Sequence, residues 1–224
     1  MNSIKTENKG ILLIHGFAGD PGEVAPLREH LIQRGYYVKS PLLPGHGLTK
    51  SDLSKTTHKE WITAAEQAYF DLSGKCGRIV VIGFSMGGLI AVNLCKYSFS
   101  GLVTVNMPIY YWNPGIIAAN LITDFRHYGK KYLIASTDKS FFSMVEFQRL
   151  LTKTKPLLGN IACKTMVVQA LDDDTVHHRS ADFILKKVRT AETVFKLSRG
   201  GHQIFHSESG EEVCQAVESF VRTC

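Results

Sequence analysis

Short apolar runs alternate with longer amphipathic stretches from one end of the chain to the other. The runs Ile11–Ile14, Tyr37–Ser40, Ile79–Gly83, Leu102–Asn106, Thr165–Gln169 and Thr193–Leu197 read as strands. Most are almost continuously apolar, the pattern of a strand covered on both faces by helices. Between them, Val24–Arg34, Lys59–Leu72, Met86–Tyr97, Ser180–Val188 and Glu211–Val221 read as helices. Gly35 supplies a left-handed end to the first, and Val213, Val217, Phe220 and Val221 share one face of the last. This alternation predicts an α/β fold built on a mostly parallel six-stranded sheet.

One region breaks the rhythm. From Met107 to about Ile161 no strand pattern appears; the stretch reads as helical and is rich in aromatics, including Tyr110, Tyr111, Trp112, Phe125, Tyr128, Phe141, Phe142 and Phe147. An insertion of that length between two strands is expected to form a small cap. The 224 residues, 44% of them hydrophobic, suffice for one core, so a single domain over 1–224 with a cap at about 107–161 is expected.

Charge changes the picture little. The formal net charge of +6 comes from 26 basic and 20 acidic residues spread along the chain, without the concentrated basic face of a nucleic-acid binder. No segment has the length and apolarity to span a bilayer, and residues 1–9 lack the apolar core of a secretory signal. A cytoplasmic protein is therefore expected, with neither nucleic-acid binding nor stable membrane insertion. The five cysteines are odd in number and widely separated, which argues for reduced thiols rather than disulfides or structural zinc.

The chemistry concentrates at Gly83-Phe84-Ser85-Met86-Gly87-Gly88, which ends a strand and opens a helix. A serine on such a bend presents its hydroxyl above the sheet, and glycines on either side admit close backbone contacts. Ser85 is the candidate nucleophile. Its hydroxyl needs a base, and in this architecture acid and then histidine follow the serine in the chain. His202, just past the last strand, is the candidate base. Leu171-Asp172-Asp173-Asp174 follows the strand Thr165–Gln169 and offers three adjacent acids that strand position cannot separate. These acids with His177-His178 lack zinc-ligand spacing, so no metal is expected. An oxyanion hole takes two backbone N–H groups; Met86, after the nucleophile, and Phe17, in the loop His15-Gly16-Phe17-Ala18-Gly19, are the candidates. His15 is expected to orient that loop.

His15-Gly16-Phe17-Ala18-Gly19, Leu43-Pro44-Gly45-His46-Gly47, Gly83-Phe84-Ser85-Met86-Gly87-Gly88, Asp173-Asp174-Thr175-Val176 and Gly201-His202 occur in that order. Together they closely resemble the small bacterial carboxylesterases and monoacylglycerol lipases of the α/β-hydrolase superfamily. The resemblance covers nearly the whole chain apart from the cap. It implies a Ser85–Asp173–His202 triad, selecting Asp173 because Val176 stands three positions on, and it implies oxyanion amides at Phe17 and Met86. The chain enters at the strand before the oxyanion loop, which implies the compact, six-stranded form of the fold.

The expected reaction is hydrolysis of short- to medium-chain esters or monoacylglycerols through an acyl-enzyme, without a cofactor. His46, Tyr110 and Trp112 are candidate substrate-binding residues, and the cap aromatics are expected to line an apolar pocket. The expected partners are a small ester and, at most, a second copy of the chain. The alternatives are a thioesterase, amidase or C–C bond hydrolase using the same three residues, a non-catalytic receptor of this fold, or an interaction protein.

Overall fold

The computed structural model describes residues 9–111, 114–137 and 140–224. Six strands, β1 (Lys9–Ile14), β2 (Tyr37–Lys39), β3 (Arg78–Phe84), β4 (Gly101–Val105), β5 (Lys164–Ala170) and β6 (Ala191–Leu197), form one sheet. Their order is β2-β1-β3-β4-β5-β6, and every neighbouring pair is parallel. Each apolar run identified in the sequence falls on one of these strands.

The alternation of side chains along each strand feeds two separate cores. Leu12, Ile14, Val81 and Leu102 pack on one face beneath α3 (His58–Ser73), α4 (Met86–Asn93) and α8 (Arg179–Lys187). Ile11, Leu13, Val80, Ile82 and Val103 pack on the other, beneath α1 (Ala25–Gln33) and α9 (Gly210–Thr223). Burial on both sides explains why these strands show almost no polar positions. Helix α4 is apolar all round because it is enclosed all round, with every residue from Met86 to Val92 buried.

Helix α1, after β1, covers one face, and α4, after β3, covers the other. The chain therefore reverses its direction of travel between these two adjacent strands, and their carboxyl ends open a crevice where ligands of such sheets bind. That crevice collects the loops bearing Phe17 and Ser85.

A short helix α2 (Lys50–Ser54) stands between β2 and α3, opened by a reciprocal capping box of Thr49 and Asp52. Between β4 and β5 lie α5 (Pro114–Thr123), α6 (Phe125–Thr137) and α7 (Phe141–Thr154). Of these, α7 joins the first core through Phe147, Leu150 and Leu151. It is also tied to α3: His58 Nδ1 donates to Glu146 Oε2 at 2.5 Å, while Arg149 pairs with the other carboxylate oxygen. Among the described residues, no helix is long and apolar enough to cross a membrane.

Candidate active site

The glycines around Ser85 are explained by contact distances. A Cβ on Gly83 would stand 2.3 Å from the Gly87 carbonyl, and one on Gly87 would stand 2.2 Å from the Ile14 carbonyl oxygen. Any side chain at either position would push α4 away from β1 and β3. Ser85 itself takes φ +50° and ψ −121°, a conformation that costs an ordinary residue about 1–3 kcal/mol. The surroundings hold it there. Its N–H donates to Val105 at 2.8 Å, and Ile14, Leu89 and Ile90 beside it are fully buried, each contributing about 2 kcal/mol. Packing outweighs the strain.

His202 lies in the loop after β6. Its Nε2 is 3.1 Å from Ser85 Oγ, and its Nδ1 is 2.9 Å from Asp173 Oδ2. Asp173 is fully buried, and its other oxygen accepts from the Thr175 and Val176 amides at 2.8 and 2.9 Å. Those two bonds hold the carboxylate with its second oxygen toward the imidazole. Asp172 points elsewhere: its carboxylate accepts from the amides of Gly200 and Gly201, at 3.2 and 2.8 Å. The structure thus brings Ser85, Asp173 and His202 into one hydrogen-bonded chain and gives the neighbouring aspartate the loop that carries His202.

The loop after β1 is anchored from two sides. His15 Nδ1 donates to the Gly16 carbonyl at 2.9 Å, and His15 Nε2 accepts from the Leu43 amide at 3.1 Å, so the ring is neutral with its proton on Nδ1. Glu23 accepts from the Gly16 amide at 2.9 Å and from Gln203 at 2.8 Å, linking this loop to the one bearing His202. Met86 opens α4, so its N–H has no acceptor within the helix. The N-terminus of α4 and the Phe17 loop therefore border the same crevice as Ser85.

His46 is 1% exposed and packs among the rings of His15, Phe17 and Trp61. Its Nδ1 donates to the Pro44 carbonyl at 3.0 Å, and its Nε2 is buried without a hydrogen-bond partner. It shapes the surroundings of Phe17. The Tyr110 ring lies against Phe183 and under Lys155, whereas Tyr111 packs on Phe147 and Phe147 on Phe17. Of the pair, Tyr111 therefore joins the ring cluster around Phe17, while Tyr110 packs on Phe183. Trp112 lies outside the described residues. Phe125, Phe141 and Phe142 are exposed, and Phe141 borders an open groove along α7 with Met144, Val145 and Gln148. Among the described residues no His, Cys, Asp or Glu cluster could hold a metal ion.

Burial pushes both His15 and His46 down from 6.5 to about 4. A histidine that protonates more readily when unfolded supports the fold fully above pH 6.5 and loses that support as pH falls toward 4. Each should cost about 2 kcal/mol of stability between pH 7.5 and 5. Urea midpoints at the two pH values should therefore differ less in His46→Phe than in the parent protein, whatever the variant's absolute stability. An equal pH dependence would contradict this.

The sequence model of the alpha/beta hydrolase family matches residues 11–216. A thermostable monoacylglycerol lipase of Bacillus sp. (strain H-257) is 29% identical over 209 residues, 87% of this chain and 82% of its own. A carboxylesterase of Bacillus subtilis (strain 168) is 26% identical over 98% of this chain and 94% of its own. Among solved structures, a metagenome-derived lipolytic enzyme superposes with a TM-score of 0.81 at 20% identity, covering 97% of this chain and 95% of its own. With a six-stranded parallel sheet, a strained serine at the β3–α4 bend and a family match running from β1 to α9, the chain belongs to the alpha/beta hydrolase family.

Proposed function

We propose that this protein is a serine hydrolase of carboxylic esters, acting on short- to medium-chain acyl esters or monoacylglycerols through an acyl-enzyme. The continuous hydrogen-bonded chain from Ser85 Oγ through His202 to Asp173 carries this reading. The names of the two Bacillus relatives, a monoacylglycerol lipase and a carboxylesterase, support the ester as substrate.

In the proposed cycle, Ser85 Oγ attacks the ester carbonyl carbon as His202 Nε2 takes its proton. Asp173 stabilises the imidazolium through Nδ1–H. The Phe17 and Met86 amides receive the negative oxygen of the tetrahedral intermediate, and losing one such donor costs about 3 kcal/mol of barrier. The carbonyl re-forms, and the C–O bond to the alcohol breaks as His202 returns the proton to the departing oxygen. Water, deprotonated by His202, then attacks the acyl-enzyme; the acid leaves and Ser85 regains its proton. Phe17, Tyr111 and Phe147 supply the apolar surface beside this centre.

A fluorophosphonate probe tests the reading directly. It should label the native protein on Ser85 at neutral pH, and Ser85→Ala should not be labelled. Turnover of p-nitrophenyl esters and monoacylglycerols should exceed turnover of acyl-thioesters and amides of equal chain length. Absence of a Ser85 adduct would favour a receptor, and a strong preference for a non-ester substrate would replace the esterase by another hydrolase of this family.

A further inference from the structure

The base of the proposed triad stands on a backbone with little stiffness of its own. Two glycines precede His202, and Gly201 has φ +58°. Such a pair leaves many backbone states open. The imidazole nevertheless meets both Ser85 and Asp173 at hydrogen-bonding distance, so the loop is held from outside.

Asp172 grips its amides, as described above. Its carbonyls are held by Asn106. Asn106 follows the last residue of β4, is 0% exposed, and adopts φ +48°, where its amide N–H donates to Val168 at 2.9 Å. Its side chain spans to two other segments. Oδ1 accepts from the amide of Ala170, the last residue of β5, at 2.9 Å. Nδ2 donates to the carbonyls of Gly201 and His202, at 3.1 and 3.0 Å. An N–H on one side and two carbonyls on the other fix which end of the amide faces which. One buried amide thereby joins the strand leading to Asp173 with the backbone of His202.

We propose that Asn106 is a positioning residue for the reaction above: its amide sets His202 against Ser85 and Asp173, and without it the imidazole loses its alignment. This rests on the reading of Ser85 and His202 as nucleophile and base. No carboxylate or hydroxyl can take its place, because the site calls for a two-hydrogen donor and an acceptor on one rigid plane. A displacement of about 1 Å at a reacting group costs about 100-fold in rate.

Two variants separate this role from a backbone role. Asn106→Gly keeps the left-handed conformation and deletes the amide. Asn106→Asp keeps the shape and the acceptor for Ala170 but turns an oxygen toward the two carbonyls. In both, kcat for a p-nitrophenyl ester should fall about 10- to 100-fold with KM within about threefold. Fluorophosphonate labelling of Ser85 should slow in parallel, with circular dichroism confirming that each variant is folded. If Asn106→Gly keeps the parent kcat and labelling rate, the residue serves only the turn and the proposal fails. Should Asn106→Gly not fold, Asn106→Asp decides by the same criterion. If the parent protein is itself not labelled, the error lies in the reading of Ser85, and the positioning role falls with it.

Discussion

Ser85→Ala is expected to lower kcat for ester cleavage by about 10⁴- to 10⁶-fold, and Ser85→Gly to do the same while making the protein more stable. Both variants remove the hydroxyl 3.1 Å from His202 Nε2 that the proposed mechanism uses to attack the ester. The stability effect comes from the backbone. At φ +50° and ψ −121°, any side chain is strained and glycine is not. Ser85 caps α4 without a side-chain hydrogen bond to the helix, so its replacement takes no cap away. Ser85→Gly should thus gain about 1 kcal/mol in urea unfolding. Residual kcat above one tenth of the parent value in Ser85→Ala would refute the assignment. Unchanged stability in Ser85→Gly would mean that relaxed packing, not strain, governs the bend.

Asp173→Asn and Asp172→Asn, one position apart, should differ by orders of magnitude. At position 173 the carboxylate takes two backbone N–H groups on one oxygen and the imidazole N–H on the other. An amide there must turn its NH₂ toward donors on one side or the other, which displaces His202 or reverses its tautomer. A loss of about 10⁴-fold in kcat is expected. Asn at 172 keeps one oxygen for the Gly200 or the Gly201 amide, which in the parent go to separate oxygens, and in this exposed position water can serve the other. Its loss should stay within about tenfold. Equal losses would assign the acid wrongly. The comparison needs only kcat on one chromogenic ester for the two variants and the parent.

These two aspartates also mark where sequence reading runs out. The strands were legible because burial on both faces leaves an apolar run that hardly anything else produces. The serine was legible because close packing of β1, β3 and α4 admits only glycine at 83 and 87. The choice among Asp172, Asp173 and Asp174 was not, since all three leave the same strand and the turn decides which carboxylate swings inward. The family pattern finds it for a physical reason: the buried Val176 returns its N–H to Asp173. Asn106 passed unnoticed as the last residue of an apolar run, because its partners lie 64 to 96 positions away. An asparagine ending a strand, where left-handed backbone is tolerated, was the one available signal. Nor does composition tell Tyr110 from Tyr111: the first packs on Phe183 and the second on Phe147, which in turn meets Phe17. In the cap, aromatic content does not tell buried from exposed rings: on α7 alone Phe147 enters the core while Phe141 and Phe142, at its first turn, face outward.

Ser85 and His202, the proposed nucleophile and base, are 117 residues apart in the chain, and the parallel stack of β3, β4, β5 and β6 brings them together. Contacts of such separation form late, after long loops have closed. A chain emerging from synthesis, or one caught with β6 undocked, carries an ordinary serine alcohol no more reactive than any other. On the proposed function, the reactivity of Ser85 thus arrives together with the finished sheet.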